Sequence, residues 1–123
     1  MNQNLLQNCI ETIRKDLRTS LLASDIYSTK TGMSIIGFNS KPAACKMFNS
    51  VTQKIKTSLA GSGFPSLKDF YFLNIEGGNL VLVIDLKEYQ WGMLIDSTDL
   101  KVNHLLNVTI PNAKQAFTNA VGD

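Results

Sequence analysis

The chain has 123 residues, of which 44% are hydrophobic, so it can bury roughly two thirds of its unfolded surface around one core. No apolar run approaches the ~20 residues of a membrane-spanning helix, which excludes an integral membrane segment. The formal net charge of +2 lacks the strong basic excess of nucleic-acid-binding proteins, although residues 1–60 are basic and residues 61–123 are acidic. Charged side chains within residues 11–18 interrupt any secretion signal, so we expect one cytoplasmic domain over residues 1–123.

The first predicted elements are a helix and a hairpin. Residues 4–18 place apolar side chains at spacings of three and four, which predicts an amphipathic helix. Residues 20–28 and 33–38 are largely apolar runs separated by a polar turn that ends at Gly32, which predicts two antiparallel strands. Asp25 is a poor strand residue, and we expect it to face outward or to bond to the turn.

The second helix is the most strongly predicted one. Pro42 is favoured in the first turn of a helix, and Ser40 is expected to cap the free amide groups there. The Gly-Ser-Gly sequence at 61–63 predicts the end of this helix. Between these signals one apolar stripe recurs at helical spacing, and it consists of Ala44, Met47, Phe48, Val51, Ile55 and Leu59.

The centre of the chain predicts a three-stranded meander. Residues 70–75 and 80–86 are apolar at nearly every position, which is typical of strands that are buried on both faces. A Gly-Gly-Asn sequence at 77–79 accepts the positive φ of a tight turn, and residues 87–90 can form the next reversal. The third strand of the meander then ends at Asp96.

The last predicted element is a helix with an interruption. Residues 102–120 fit helical spacing throughout, but Pro111 lacks a backbone N–H and disfavours helical geometry at Ile110. We therefore expect a helix that kinks or restarts at Pro111. The predicted order of elements is αββαβββα, which is an α+β domain with a five-stranded antiparallel sheet.

Burial of both sheet faces requires more cover than one chain provides. The first and last helices can cover one face, which leaves only the second helix for the other. One helix is about 10 Å wide, whereas five strands at a spacing of ~4.8 Å span nearly 20 Å. A second copy can cover what remains, and we expect the third strand to be an edge strand that pairs with its symmetry mate. The apolar side chains that such an interface can bury include Met47, Val51, Tyr71, Phe72 and Leu73.

Motifs for catalysis or cofactor binding are missing from the sequence. The Gly-rich loop at 61–63 follows a helix, whereas a phosphate-binding loop precedes one. His104 is the only histidine, and although Asp99 could approach it, one histidine and one carboxylate do not make a zinc site. Cys9 and Cys45 are isolated and are expected to be buried free thiols. We expect no enzymatic activity, no metal and no cofactor.

Four parts of the chain share their pattern with a known family. They are the hairpin DIYSTKTGMSIIGFNSKP around Gly32, the long second helix, the segment FLNIEGGNLVLVIDL followed by WGMLID, and residues 99–106 before the last helix. The turn Glu76-Gly77-Gly78 matches the short acidic and glycine turn of that family. In these features the chain resembles the roadblock/dynein light-chain family over nearly its whole length.

The resemblance implies the strand order 2-1-5-4-3, with the second helix on one face and the first and last helices on the other. It also implies a homodimer through the third strand and the second helix, and a non-catalytic protein that binds and regulates or scaffolds a small Ras-like GTPase. Alternatives are a small-molecule- or lipid-sensing domain of the same fold and a cytoskeletal or motor light-chain adaptor. The predicted dimer interface consists of Met47, Val51, Lys54, Ile55, Phe70, Tyr71, Phe72, Leu73 and Asn74.

Overall fold

A computed structural model describes residues 2–122, and its elements follow the predicted order. The helices and strands are α1 (Gln3–Leu17), β1 (Leu21–Ser28), β2 (Ser34–Phe38), α2 (Pro42–Gly61), β3 (Phe70–Ile75), β4 (Asn79–Asp85), β5 (Tyr89–Asp96), α3 (Val102–His104) and α4 (Ile110–Val121). A short 3-10 turn, Arg18–Ser20, joins α1 to β1, and a π-helical turn, Leu105–Thr109, joins α3 to α4.

The strands form one antiparallel sheet in the order β2-β1-β5-β4-β3. The α+β class is as the sequence pattern predicted, and the strand order is the one that the family resemblance implied. α1 and α4 pack against each other on one face of the sheet, and α2 lies alone on the other face. The predicted arrangement of one helix against two is therefore confirmed.

The larger core lies between the sheet and the pair α1 and α4. Its buried side chains come from the apolar stripes of both helices and from alternate positions of β1, β4 and β5. Trp91 is fully buried there, and its indole N–H donates a hydrogen bond of 2.7 Å to Oγ of Ser24. Burial of this large aromatic side chain therefore leaves its polar group satisfied.

The smaller core lies between the sheet and α2. Its buried residues are Tyr27, Cys45, Phe48, Val81 and Val83. The helix approaches the sheet closely because Gly92 on β5 has no side chain: a Cβ there would lie 2.7 Å from Cδ2 of Phe48. One glycine in a buried strand thus sets how deeply α2 is seated.

Asp25 was expected to face outward or to bond to the turn between β1 and β2, and it does neither. It is buried, and its carboxylate accepts hydrogen bonds from Oγ of Ser34 (2.6 Å), from Oγ of Ser40 (2.6 Å) and from the backbone N–H of Lys41 (3.0 Å). The prediction that Ser40 caps α2 is wrong, because its hydroxyl donates to the carboxylate of Asp25 and, within the described residues, no side chain caps the helix. Asp25 therefore ties β1 to β2 and to the start of α2.

The last helix restarts close to Pro111, as predicted, and the change of geometry lies one turn earlier. In the π-helical turn the N–H of Ile110 donates to the carbonyl of Leu105, five residues back. The wider turn lets Ile110 keep helical angles (φ −64°, ψ −48°) although a proline follows it. The chain thus accommodates Pro111 by a local change of hydrogen-bond spacing.

A candidate interface formed by the second helix and the third strand

β3 is an edge strand with a regular outer edge. It pairs with β4 in six consecutive steps, from Phe70 opposite Ile84 to Ile75 opposite Asn79. The N–H of Asp85 donates to the carbonyl of Asp69 at 2.8 Å, and from there the antiparallel ladder alternates. The alternation turns the backbone N–H and C=O groups of positions 70, 72 and 74 outward, and within residues 2–122 no strand pairs with them.

The opposite edge of the sheet, β2, differs from β3 in ways that discourage pairing. The register between β1 and β2 shifts at a bulge, because Ile26 lies opposite Ile36 while the next residue lies opposite Ser34. The bulge leaves Ile35 unpaired and twists the strand. In addition, the guanidinium group of Arg14 on α1 covers the ring of Phe38 at 4.1 Å. Bulges and charged cover are common protections of edge strands, and β3 has neither.

The side chains of β3 alternate between the two faces of the sheet. Phe70 and Phe72 face α1 and α4, where their ring centroids lie 5.6 Å apart, and Tyr71 and Leu73 pack on the α2 side. All four are half-buried within their own chain, whereas Asn74 is exposed. The backbone of β3 is therefore more available to a partner than the predicted side chains are.

α2 carries two apolar stripes. One faces the sheet through Cys45, Phe48 and Thr52. The other points away from the smaller core and runs from Met47, which is 51% exposed, through the half-buried Val51 and Ile55, beside the exposed Lys54. Together with Ser58 and Leu59, the last three line a shallow hollow on the helix surface. Four predicted interface residues therefore lie side by side on an accessible surface.

Polar contacts hold α2 over the start of β3. Oγ1 of Thr52 and the phenol oxygen of Tyr71 are 2.8 Å apart, and Nζ of Lys56 lies 2.7 Å from Oδ2 of Asp85. Burial raises the pKa of the Tyr71 phenol, so this group is neutral at physiological pH. The second stripe of α2 and the edge of β3 consequently form one continuous surface, which we call the α2/β3 surface.

A groove opens on the same side of the sheet, between the N-terminal half of α2 and the far end of β3. It encloses about 200 Å³. Small side chains make room for it, because Ala23 on β1 and Ala44 on α2 stand where larger residues would fill the space. Met47 and Ile75, the latter 41% exposed, form its rim. A single helix was expected to leave part of the apolar sheet uncovered on this face, and the groove is where such surface lies.

The one histidine considered for chemistry has a structural contact instead. Nε2 of His104 lies 2.6 Å from Oδ1 of Asp16, and not against Asp99, while Thr109 donates to the other oxygen of the same carboxylate at 2.6 Å. Asp16 thus joins the end of α1 to the π-helical turn. His104 and Asp16 are 88 residues apart in sequence, so no local pattern could have predicted their contact.

Cys9 and Cys45 are buried, and within the described residues both are free thiols, as expected. Burial raises the pKa of Cys9 to about 11 and that of Cys45 to about 12. Between residues 2 and 122, no group of three or more His, Cys, Asp or Glu side chains could hold a metal ion. No helix in that range is both long and apolar enough to cross a membrane.

The five-stranded sheet in the order 2-1-5-4-3, with one helix on one face and two on the other, is the roadblock/LC7 fold, as the family resemblance predicted. Myxococcus xanthus MglB superposes with a TM-score of 0.75 at 10% identity, over 95% of this chain and 94% of that one. A roadblock/LC7 domain from Streptomyces avermitilis gives 0.65 at 9% identity, over 90% and 93%. MglC from Myxococcus xanthus gives 0.62 at 12% identity, over 94% and 98%.

At identities of 9–12%, the comparisons with these structures show a shared fold and nothing more. Neither a protein-family model nor a curated protein sequence matches the chain. The structural neighbours span almost the same length as this chain, so the likeness extends over nearly the whole domain.

Proposed function

We propose that this chain is a non-catalytic, single-domain adaptor of the roadblock type that forms a homodimer and binds and regulates or scaffolds a small Ras-like GTPase in the cytoplasm. The observation that carries the proposal is the α2/β3 surface, where a regular, unprotected strand edge lies beside an apolar helix stripe. The shared fold with MglB, MglC and a roadblock/LC7 domain supports the adaptor class. The GTPase partner is inferred from the family that the sequence resembles.

In the proposed dimer two β3 edges pair antiparallel about a twofold axis and the second stripes of the two α2 helices approach each other. Each large apolar side chain contributes about 1.5–3 kcal/mol on full burial. Met47, Val51 and Ile55 are part-exposed, so six such side chains in two copies contribute about half of that range each, or about 5–9 kcal/mol. This lies within the estimated cost of association, about 4–15 kcal/mol, and the strand hydrogen bonds add to it.

The chain regulates by contact and not by supplying catalytic groups. Its two arginines are Arg14 and Arg18, and the guanidinium of Arg14 is held over Phe38 and bonded to Glu11 at 3.1 Å. Arg14 is therefore a poor source of an arginine finger. Any stimulation of GTP hydrolysis would then arise because the adaptor orders the switch loops of the GTPase.

A small-molecule- or lipid-sensing domain of the same fold is the second candidate, and the groove beside α2 favours it. Its volume of about 200 Å³ is below the roughly 300–1,000 Å³ that is usual for drug-sized ligands. An apolar ligand in the groove would raise the melting temperature of the purified protein, and the rise would grow with the logarithm of ligand concentration above the dissociation constant. The adaptor proposal expects no such shift.

The sharpest test of the proposal is Asn74→Pro, compared with Asn74→Ala. The side chain of Asn74 is exposed and its backbone N–H points to the outer edge, so proline removes one edge donor while the monomer remains folded. We expect sedimentation equilibrium to show a dimer for the wild type and for Asn74→Ala, and a monomer for Asn74→Pro. A wild-type monomer at micromolar concentration, or a Pro variant that dimerises as well as the Ala variant, would contradict the dimer.

The same proteins test the partner. Immobilised wild type and Asn74→Pro are incubated with extract of the source organism, once with a non-hydrolysable GTP analogue and once with GDP. We expect a small Ras-like GTPase to be enriched on the wild type in one of the two nucleotide states. If no such GTPase is retained in either state while the dimer is intact, the partner assignment fails and the adaptor class alone remains.

A further inference from the structure

Phe64 is a large aromatic side chain that the chain holds in water. It is 64% exposed and lies just beyond the end of α2, after Ser62 and Gly63. Gly63 takes a positive φ of 74°, which turns the chain, and the backbone N–H of Phe64 then donates to the carbonyl of Leu59 at 2.9 Å. This is a helix-ending motif that fixes the backbone position of Phe64. The ring is therefore presented in a defined place.

The groove beside α2 has the size and character of a socket for such a ring. An apolar cavity of roughly 150 Å³ in another protein binds benzene, so a groove of about 200 Å³ can hold a phenyl group. Its floor is formed by Val81, Leu94 and Phe48, and its rim by Met47 and Ile75. A ring seated there would be surrounded by apolar atoms.

Phe64 cannot reach the groove of its own chain. α2 begins at β1, where the N–H of Lys41 bonds to Asp25, and it passes over the start of β3, where Thr52 meets Tyr71. A helix of 20 residues is about 30 Å long, so Phe64 lies at the far end from the groove. The groove opens at Ile75, at the opposite end of β3.

A twofold axis brings the two features together. When β3 pairs antiparallel with its symmetry mate, the end of one β3 lies beside the start of the other. The C-terminal half of α2 passes over the start of β3, where Thr52 contacts Tyr71, and continues beyond it, so in the dimer it reaches the end of β3 in the other copy, where the groove opens. We propose that the partner's Phe64 inserts its ring into the groove of each copy, which gives two identical sockets per dimer. This proposal rests on the homodimer proposed above.

The test compares Phe64→Ser with Met33→Ser. Met33 is also 64% exposed, but it lies in the turn between β1 and β2, away from the groove, so it is a matched control. Because both sockets lose their ring, we expect Phe64→Ser to raise the dimer dissociation constant roughly 10²-fold or more in sedimentation equilibrium. Met33→Ser is expected to leave it unchanged. Both residues are exposed, so circular dichroism is expected to show that both variants fold.

A double-mutant cycle tests the contact itself. Ala44→Leu fills the groove from within and is expected to weaken the dimer, but only while Phe64 is present, so its effect disappears in the Phe64→Ser background. Additive effects of the two changes would overturn the proposal, and so would equal dissociation constants for Phe64→Ser and Met33→Ser. If those results occur while Asn74→Pro still dissociates the dimer, the homodimer stands and the groove serves another ligand. A monomeric wild type would overturn both.

Discussion

Replacement of Asp25 by alanine tests how the start of α2 is attached to the sheet. The carboxylate accepts three hydrogen bonds, from Ser34, Ser40 and the N–H of Lys41, and Gly37 on β2 leaves the space that it occupies, since a Cβ there would overlap it. A hydrogen bond to a charged group contributes about 1.5–3 kcal/mol net. Ser40 and Lys41 are exposed and regain water, so we count their bonds at half weight and that of Ser34 in full.

The expected loss is then about 3–6 kcal/mol of the free energy of unfolding, out of the 5–15 kcal/mol that is usual for a domain. Urea denaturation followed by circular dichroism measures it directly, and the melting temperature is expected to fall by about 10–30 °C. Asp25→Asn keeps one acceptor oxygen and is expected to lose less than the alanine variant. A loss below about 1 kcal/mol in Asp25→Ala would refute the view that this carboxylate holds β1, β2 and α2 together.

Two further predictions concern the layer beneath α2 and the buried thiols. Gly92→Ala places a Cβ 2.7 Å from Cδ2 of Phe48, so α2 must shift. We expect the free energy of unfolding to fall by about 1–3 kcal/mol in the same urea titration. An unchanged free energy of unfolding would mean that the helix is loosely packed on the sheet. Burial raises the pKa of Cys9 to about 11 and that of Cys45 to about 12, each from 9.0, so thiolate is scarce at pH 8. We expect both thiols to react with a disulfide reagent at least ~10²-fold more slowly in the native protein than in urea, and rapid native labelling would contradict this.

Local patterns were sufficient to predict the strands and the turns between them. The apolar runs that became β3 and β4 indicated burial on both faces, and the glycines between them indicated the turn; Gly77 and Gly78 both have positive φ in the structure. Strand order, in contrast, was implied by the family resemblance, because a meander and a hairpin can be joined in more than one way. Composition and periodicity alone would have left that order open.

Long-range polar contacts could not be predicted in the same way. Asp25 was expected to face outward or to bond to the turn, because a carboxylate is disfavoured in a strand. Its partners lie 9, 15 and 16 residues away and become neighbours only once β2 and α2 are in place. The predicted interface stays a prediction. Periodicity located the stripe of Met47, Val51 and Ile55, but it could not show that Phe70 and Phe72 are half-buried within their own chain.

The contrast between the two sheet edges argues for one particular kind of assembly. If the sheet had only to end, both edges would carry protection, but β2 has a bulge and β3 has a regular ladder beside an apolar helix stripe. A head-to-tail contact at β3 would leave an open edge at the end of every assembly and would therefore propagate into a fibre. A twofold contact pairs each open edge with its own copy and brings the two stripes of α2 together in the same step. The closed dimer is therefore the assembly in which the exposed backbone of β3 and the exposed side chains of α2 are covered at once.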